Sequence, residues 1–270
     1  WGEAKQALFE QIDAEVAPMR EKYEALMAKP IEIEAILREG AIKARRIATP
    51  LLAELRHAVG LRDLREQVVF VGGAVAGLLV TDPLADPVRA TRDVDAVVNA
   101  NRALFHRVEE AVARRGFARD VESGVICRWV HKDSGLLFDL MPVQPEVLGF
   151  SNCWYPYAIE TAEPVELSPG LTIQLVSAVG FVATKLEAFA GRGAGDFLTS
   201  HDIEDVLNII DGREELTAEM SAAPAELRQA VAAVFQDLLS NPDFTNTLPG
   251  LITEPERAGV VMRRMHAMCT

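Results

Sequence analysis

The sequence predicts an α/β (α+β) protein, a mixed β-sheet flanked by helices, with a helical arm before it and a helical region after it. Three observations predict this class. Short, continuous, β-branched runs such as Val68–Val71 recur between residues 68 and 176, as strands covered on both faces require. Amphipathic helical stretches separate some of these runs. The helical period alone governs both ends of the chain, which divides it into an arm (1–62), a sheet domain (63–176) and a C-terminal helical region (177–270).

In the arm, Leu8, Ile12 and Val16 fall at four-residue spacing, and Met19, Tyr23, Leu26 and Met27 continue the stripe after Pro18. A second series runs through Ile33, Ile36, Leu37, Ile42, Ile47, Leu51, Leu55 and Val59, broken by Pro30 and Pro50. Two or three helices, arranged as a hairpin, are expected.

The sheet domain opens on Val68–Val71, a Gly72-Gly73 turn and a short apolar helix, followed by a second strand carrying Asp93 and Asp95. Gly-Gly lets the backbone turn with no Cβ in the way, and the helix N-terminus it opens is suited to phosphate. Asn101 to Arg115 reads as an amphipathic helix closed by Gly116. Phe117–Val121, Val125–His131 and Leu136–Met141 read as strands joined by turns at Ser123-Gly124 and Ser134-Gly135. Asp139 lies on the last strand, in the same mixed sheet as Asp93 and Asp95. Phe150 to Tyr157 is aromatic and irregular, suited to core packing or to lining a pocket. Leu171–Val176 is a further strand, after which Ser177 caps a helix running to Ala190.

Residues 191–196 form a glycine-rich loop that lacks the Gly-Lys-Ser/Thr ending of a P-loop. Ser200 starts another helix, on which Asp202 and Asp205 share a face at i, i+3. A helix over Ala225–Leu239, an irregular stretch from Asn241 to Thr253 and a closing helix from Glu254 complete the chain.

Composition limits the functional classes. The net charge of −13 lies entirely in residues 63–270, because residues 1–62 carry ten basic and ten acidic side chains. An acidic body of this kind does not neutralise phosphates, so non-specific nucleic-acid binding is not expected. A nucleic-acid substrate would need a local basic patch, for which Arg89, Arg92, Arg102, Arg107, Arg114, Arg115 and Arg119 are candidates. The three cysteines have no CxxC spacing, which points to neither a disulfide framework nor a structural zinc site and implies a reducing cytoplasm. No run reaches the roughly 20 apolar residues of a membrane span. His266 and Cys269 near the terminus suggest either a metal pair or, as the favoured reading, helix-surface positions, and His57, His106 and His131 are isolated. The chain begins at Trp1, so it is expected to be processed, trimmed or an excerpt of something longer.

Asp93 and Asp95 carry the chemistry. At i and i+2 on a strand their carboxylates project from one face and repel unless a cation lies between them. Hard divalent ions such as Mg²⁺ or Mn²⁺ take oxygen ligands of this kind. Gly72-Gly73 followed by Thr91-Arg92-Asp93-Val94-Asp95 resembles the signature of the DNA polymerase beta-like nucleotidyltransferases. From about Leu64 to the C-terminus the chain is most similar to the toxin-type proteins of abortive-infection (AbiEii) systems. Asp139 stands where the family places its third acid. Lys185, Arg192, Asp202 and Asp205 resemble the family's later motifs, although His201 stands where Lys or Arg is usual.

The resemblance implies a nucleotidyltransferase-type sheet and a C-terminal region that completes the active site. Asp93, Asp95 and Asp139 would hold the metal, and Asp139 would also receive the acceptor's proton. Gly72 and Gly73 would cradle the triphosphate and Lys185 its β and γ phosphates. Thr91, Arg92, Arg192, Asp202 and Asp205 would complete the nucleotide site. The implied reaction moves a nucleoside monophosphate from an NTP to a hydroxyl of a tRNA end or a protein side chain, as the toxin of a toxin–antitoxin pair with a cognate antitoxin. A small cationic acceptor such as an aminoglycoside also suits the acidic body.

Residues 1–62 resemble a different family. WGEAKQALFEQIDAEVAPMREKYEALM and IEAILREGAIKARRIA are similar to the extreme C-terminal region of bacterial tryptophanyl-tRNA synthetases. The synthetase's nucleotide-binding motifs are absent from these 270 residues, so aminoacylation is not implied. The arm is read as a packing element, a homodimerising surface or a fusion remnant, with tRNA recruitment as the alternative. A non-catalytic tRNA- or nucleotide-binding module and the C-terminal part of a longer synthetase-like protein are the competing readings of the whole chain.

Overall fold

Val68–Val71 forms β1, with all four side chains buried, and it lies inside a seven-stranded mixed sheet of order β3-β4-β5-β2-β1-β7-β6. The structure, a computed structural model, describes residues 68–82, 91, 93–168, 171–192, 196–252 and 255–269, with scattered positions between 5 and 29. Two compact units divide the chain, Trp1–Thr49 and Pro50–Thr270. In the first, residues 16–20 and several positions on either side are helical. The series from Ile33 to Val59 and the expected domain boundary at 62/63 lie outside the described residues.

The second unit holds the sheet and every helix after it. β1 runs into helix α1 (Gly73–Leu79), and the chain returns as β2 (Asp93–Val98), antiparallel to β1 with Val71 opposite Asp95. Helix α2 (Arg102–Arg114) follows, capped by the Asn101 side chain, which accepts the Leu104 N–H at 3.0 Å. It buries Phe105, Val108 and Val112, one face at helical spacing.

Strands β3 (Phe117–Arg119), β4 (Arg128–His131) and β5 (Leu137–Pro142) form an antiparallel meander, and β5 also pairs with β2 in parallel. β3 and β4 are shorter than the sequence suggests. The Asp120 carboxylate accepts the N–H groups of Glu122 and Ser123, and this local turn draws the chain out of the ladder.

Beyond β5 come the short helices α3 (Pro145–Leu148) and α4 (Tyr155–Glu160). The aromatic segment expected to be irregular is thus partly helical, with Pro156 in the first turn, where no N–H is required. Tyr155 is buried and donates from its hydroxyl to Met141 Sδ at 3.0 Å, which places the segment against β5 as core packing. Strand β6 (Glu163–Ser168), absent from the sequence reading, pairs antiparallel with β7 (Leu171–Leu175), and β7 is parallel to β1.

Helix α5 (Ala178–Arg192) starts at Ser177, whose hydroxyl accepts the Gly180 N–H, and α6 (His201–Gly212) starts at Ser200 in the same way. Helices α7 (Leu216–Ser221), α8 (Ala225–Ser240), α9 (Pro242–Leu251) and α10 (Ala258–Met268) close the chain. Arg257 binds Asp211 at 2.7 Å, and Arg264 donates to the carbonyls of Ile210 and Asp211. Both cations fasten the start of α10 and its body to the negative end of α6.

The stretch expected to be irregular after Asn241 is helix α9. Asn241 caps it by accepting the Asp243 N–H, Pro242 sits at its first position, and Phe244 and Leu248 are fully buried one turn apart. Phe244 meets Phe197 edge-on, with ring centroids 5.5 Å apart. Phe244→Ala should therefore cost about 3–5 kcal/mol, read as a shift in the urea unfolding midpoint with unchanged slope. A cost below 1 kcal/mol would show that α9 does not belong to the core.

Candidate active site

The pairing of β2 with β5 builds the site. Asp95 and Asp139 are partners in a parallel, in-register ladder, so their side chains leave the same face of adjacent strands. Asp93 lies two residues before Asp95 on that face, while Val94 and Ala96 point the other way into the core with no exposure. The three acids predicted from the sequence therefore share one surface of the sheet.

The Gly72-Gly73 turn lies against this surface. Gly72 has φ +74°, which disfavours any side chain, and a Cβ there would lie 2.6 Å from Cγ of Asp95. A Cβ on Gly73 would lie 2.8 Å from the Thr91 methyl and 3.1 Å from Asp205 Oδ2. The two glycines are required because carboxylates from β2 and α6 occupy the space that side chains would fill.

Lys185 on α5 reaches Asp202 Oδ1 at 3.0 Å and Asp205 Oδ2 at 2.7 Å, both on α6. Asp205 is fully buried, and its Oδ1 has no hydrogen-bond partner among the described residues. Burial depresses the Lys185 pKa, but the charges of Asp205 and Asp202 more than offset it and hold the ammonium above the ordinary value of 10.5. The sequence-predicted lysine and both late acids thus meet beside the glycine turn.

One residue of this surface was not read from the sequence. Arg128 on β4 is the cross-strand partner of Asp139. Its Nε donates to Asp139 Oδ1 at 2.8 Å, and its Nη2 donates to Asp139 Oδ2 at 2.7 Å and to Asp93 Oδ2 at 3.1 Å. The bond to Asp139 outweighs the desolvation of the guanidinium and raises its pKa further. The signal was available in the hairpin: the turn at Ser134-Gly135 sets a register that brings position 128 opposite 139. Cys127 lies beside the same cluster; burial, then the charges of Asp139 and Asp95, push its thiol up to about 12, so it is not a nucleophile at neutral pH.

Other expectations fall elsewhere. Arg89, Arg92 and the Arg192 side chain lie outside the described residues. The candidate basic series is largely engaged with local acceptors: Arg102 donates to the Glu146 carbonyl, Arg114 faces Glu110 at 3.7 Å, and Arg119 pairs with Glu109. His201 bonds Glu204 at the surface.

Among the described residues no three His, Cys, Asp or Glu side chains close on a common point as a finished metal cage would. The donor set of Asp93, Asp95 and Asp139 nevertheless fits a hard divalent cation in kind, being three carboxylates on one face. With Arg128 its formal charge is −2, which such an ion would balance.

No protein-family model matches the chain. Part of it is 62% identical to tryptophan–tRNA ligase of Xanthomonas campestris over 77 residues, which is 28% of this chain and 18% of that protein. Over 66 residues it is 67% identical to the Pseudomonas aeruginosa tryptophan–tRNA ligase, covering 24% of this chain and 15% of that one. The Bordetella bronchiseptica protein of the same name is 54% identical over 65 residues, 24% of this chain and 14% of its own length. The match supports the synthetase-tail resemblance and spans less than a fifth of those proteins.

Two outcomes follow from the lysine cluster. Lys185→Met strands the buried Asp205 carboxylate and should cost about 3–5 kcal/mol in chemical denaturation at neutral pH, with Lys185→Met/Asp205→Leu recovering part of it. Because the folded pKa of Lys185 is raised, its contribution is complete below the ordinary lysine value of 10.5 and is lost as pH rises through the folded value. The gap between wild type and Lys185→Met should therefore stay constant from pH 7 to pH 9 and narrow only above about 10.5. A gap that narrows between pH 7 and pH 9 would contradict this assignment.

Proposed function

We propose that this chain is a metal-dependent nucleotidyltransferase that moves a nucleoside monophosphate from an NTP to a hydroxyl acceptor. The observation that carries the reading is the in-register pairing of Asp95 with Asp139, beside Asp93 and against the Gly72-Gly73 turn. Three carboxylates brought to one face, two of them repelling across a strand pair, are a costly arrangement unless a cation uses them. Arg128 offsets only one of the three negative charges, which leaves the face with room for a divalent ion.

Asp93, Asp95 and Asp139 would hold the metal. When bound, the divalent ion supplies charge neutralisation at the transferring phosphate and a lowered pKa for the attacking hydroxyl. Asp139 is the least exposed of the directly described acid contacts to Arg128, and it would accept the acceptor's proton. Gly72 and Gly73 leave the backbone bare beside Asp95, where the triphosphate would approach. Lys185 would supply an ammonium donor near that turn, its charge already offset by Asp202 and Asp205.

The acceptor class draws on the relatives. A stretch that resembles tryptophan–tRNA ligase favours RNA, specifically a tRNA end, over a protein side chain. The finer reading of a toxin with a cognate antitoxin rests on the motif resemblance to abortive-infection proteins. The same relatives favour one competing reading, a tRNA-binding module without chemistry.

Incubation with each α-phosphate-labelled NTP, Mg²⁺ or Mn²⁺, total RNA and total protein separates the two. We expect label in the RNA fraction, lost by at least about 100-fold in Asp93→Ala/Asp95→Ala, a loss of the size that follows removal of key electrostatic groups. Absence of label in both fractions, together with no NTP binding by calorimetry, would leave the binding module.

A further inference from the structure

None of the sequence motifs includes Arg128, yet it makes close polar contacts to two of the three acids. Its place is fixed by the fold: the β4–β5 hairpin sets it opposite Asp139, so its side chain leaves the same face as all three acids. The guanidinium grips both oxygens of Asp139 and reaches across β5 to Asp93 on β2. Fork-shaped, charge-assisted contacts of this kind are strong and geometrically specific. The pair is mostly shielded, with side-chain exposures of 18% for Arg128 and 9% for Asp139.

These contacts use the lone pairs that a divalent ion needs. A hard cation binding Asp139 meets two oxygens that are both bonded to Arg128, and on Asp93 it meets one that is, with the guanidinium charge beside it. The guanidinium cannot escape by losing its proton. It can leave the acids at low cost only if another anion receives it, and planar guanidinium groups match phosphate oxygens in the same fork geometry.

We propose that Arg128 is the resident counter-cation of the acid cluster, displaced from Asp93 and Asp139 when a metal-bound nucleoside triphosphate enters and transferred onto its phosphates. This rests on the transferase reading and adds a residue to it. Arg128 makes metal loading depend on the nucleotide: the bare ion competes with the guanidinium, while the metal–nucleotide pair gives it a new partner. By linkage, the triphosphate strengthens metal binding more in the presence of Arg128 than in its absence.

The test is Mn²⁺ binding by the full chain, read from the free-ion electron paramagnetic resonance signal, with and without a non-hydrolysable NTP analogue. In Arg128→Gln, bare Mn²⁺ should bind roughly tenfold tighter or more, because a positive charge within bonding distance of the ligands is gone. The strengthening of Mn²⁺ binding by the analogue should shrink by a similar factor, and Arg128→Lys, which keeps the charge without the fork, should fall between. Equal bare-Mn²⁺ affinity in wild type and a folded Arg128→Gln variant, with Asp95→Asn abolishing binding, would overturn the counter-cation role while leaving the metal site intact. Absence of Mn²⁺ binding in wild type, Arg128→Gln and the analogue-bound forms would overturn the transferase reading itself, and this proposal with it. Should Arg128→Gln fail to fold, the Arg128 Nε–H resonance of wild type serves instead. It should shift when Mg²⁺ and the analogue are added together, and an unchanged resonance under conditions where calorimetry registers their binding would overturn the proposal.

Discussion

Asp93, Asp95 and Asp139 leave one face of two strands paired in register, and the rest of the site is arranged around the repulsion between them. Carboxylates on neighbouring positions of a sheet are about 5 Å apart, where two like charges cost roughly 3 kcal/mol each pair at an effective dielectric constant near 20. The sheet cannot relieve this by sliding. A one-residue shift of β2 would turn Val94 and Ala96, both fully buried, out of the core and bring the acids in. The apolar face of β2 therefore fixes the position of its charged face, and relief has to come from cations delivered by other elements.

Arg128 delivers one to this face, while a second cation, Lys185, serves a separate pair of acids, with different consequences. Arg128 comes from the hairpin partner of β5 and touches the acids that would bind metal. Lys185 comes from α5 and binds Asp202 and Asp205 on α6, whose carboxylate in turn abuts Gly73. Lys185 therefore ties the C-terminal helices to the turn between β1 and α1, and removing it strands a fully buried charge. Arg128 holds partners that retain some access to solvent, Asp93 most of all. Lys185 is thus tied to a fully buried carboxylate, whereas Arg128 sits on a face that solvent still reaches.

How much of this was legible in the sequence follows from how local each determinant is. β1, the glycine turn, β2 and the helix after Asn101 were readable because apolar run, turn residue and cap are contiguous. The acid face was readable from the period of a strand. β6 was missed because Pro164 and the acids at 163 and 166 give it the composition of a loop, which an edge strand tolerates. α9 was missed because Pro242 and Pro249 dominate its composition, although the cap at Asn241 and the Phe244–Leu248 pair decide its conformation. Arg128 was missed for another reason: its role exists only through pairing with a residue 11 positions away, which follows from the register set by the Ser134-Gly135 turn and not from any contiguous motif.

The charge of the body bears on the acceptor. With a net −13 outside the first 62 residues, and with Arg102, Arg114 and Arg119 already bound to local acceptors, the described surface of the sheet domain offers a polyanion little long-range attraction. Under the transferase reading a triphosphate would avoid this difficulty, because it would arrive with its own metal and meet Arg128 at close range. A tRNA end does not carry comparable neutralisation along its backbone. Under the transferase reading, RNA must then be held by a surface other than the acidic body, and the synthetase-like stretch is the part of the chain with charge balance suited to that task. Division of labour between a neutral recruiting arm and an acidic, metal-using body would make salt weaken acceptor binding while leaving nucleotide binding largely unchanged, since close, partly buried ion pairs are screened far less than exposed ones.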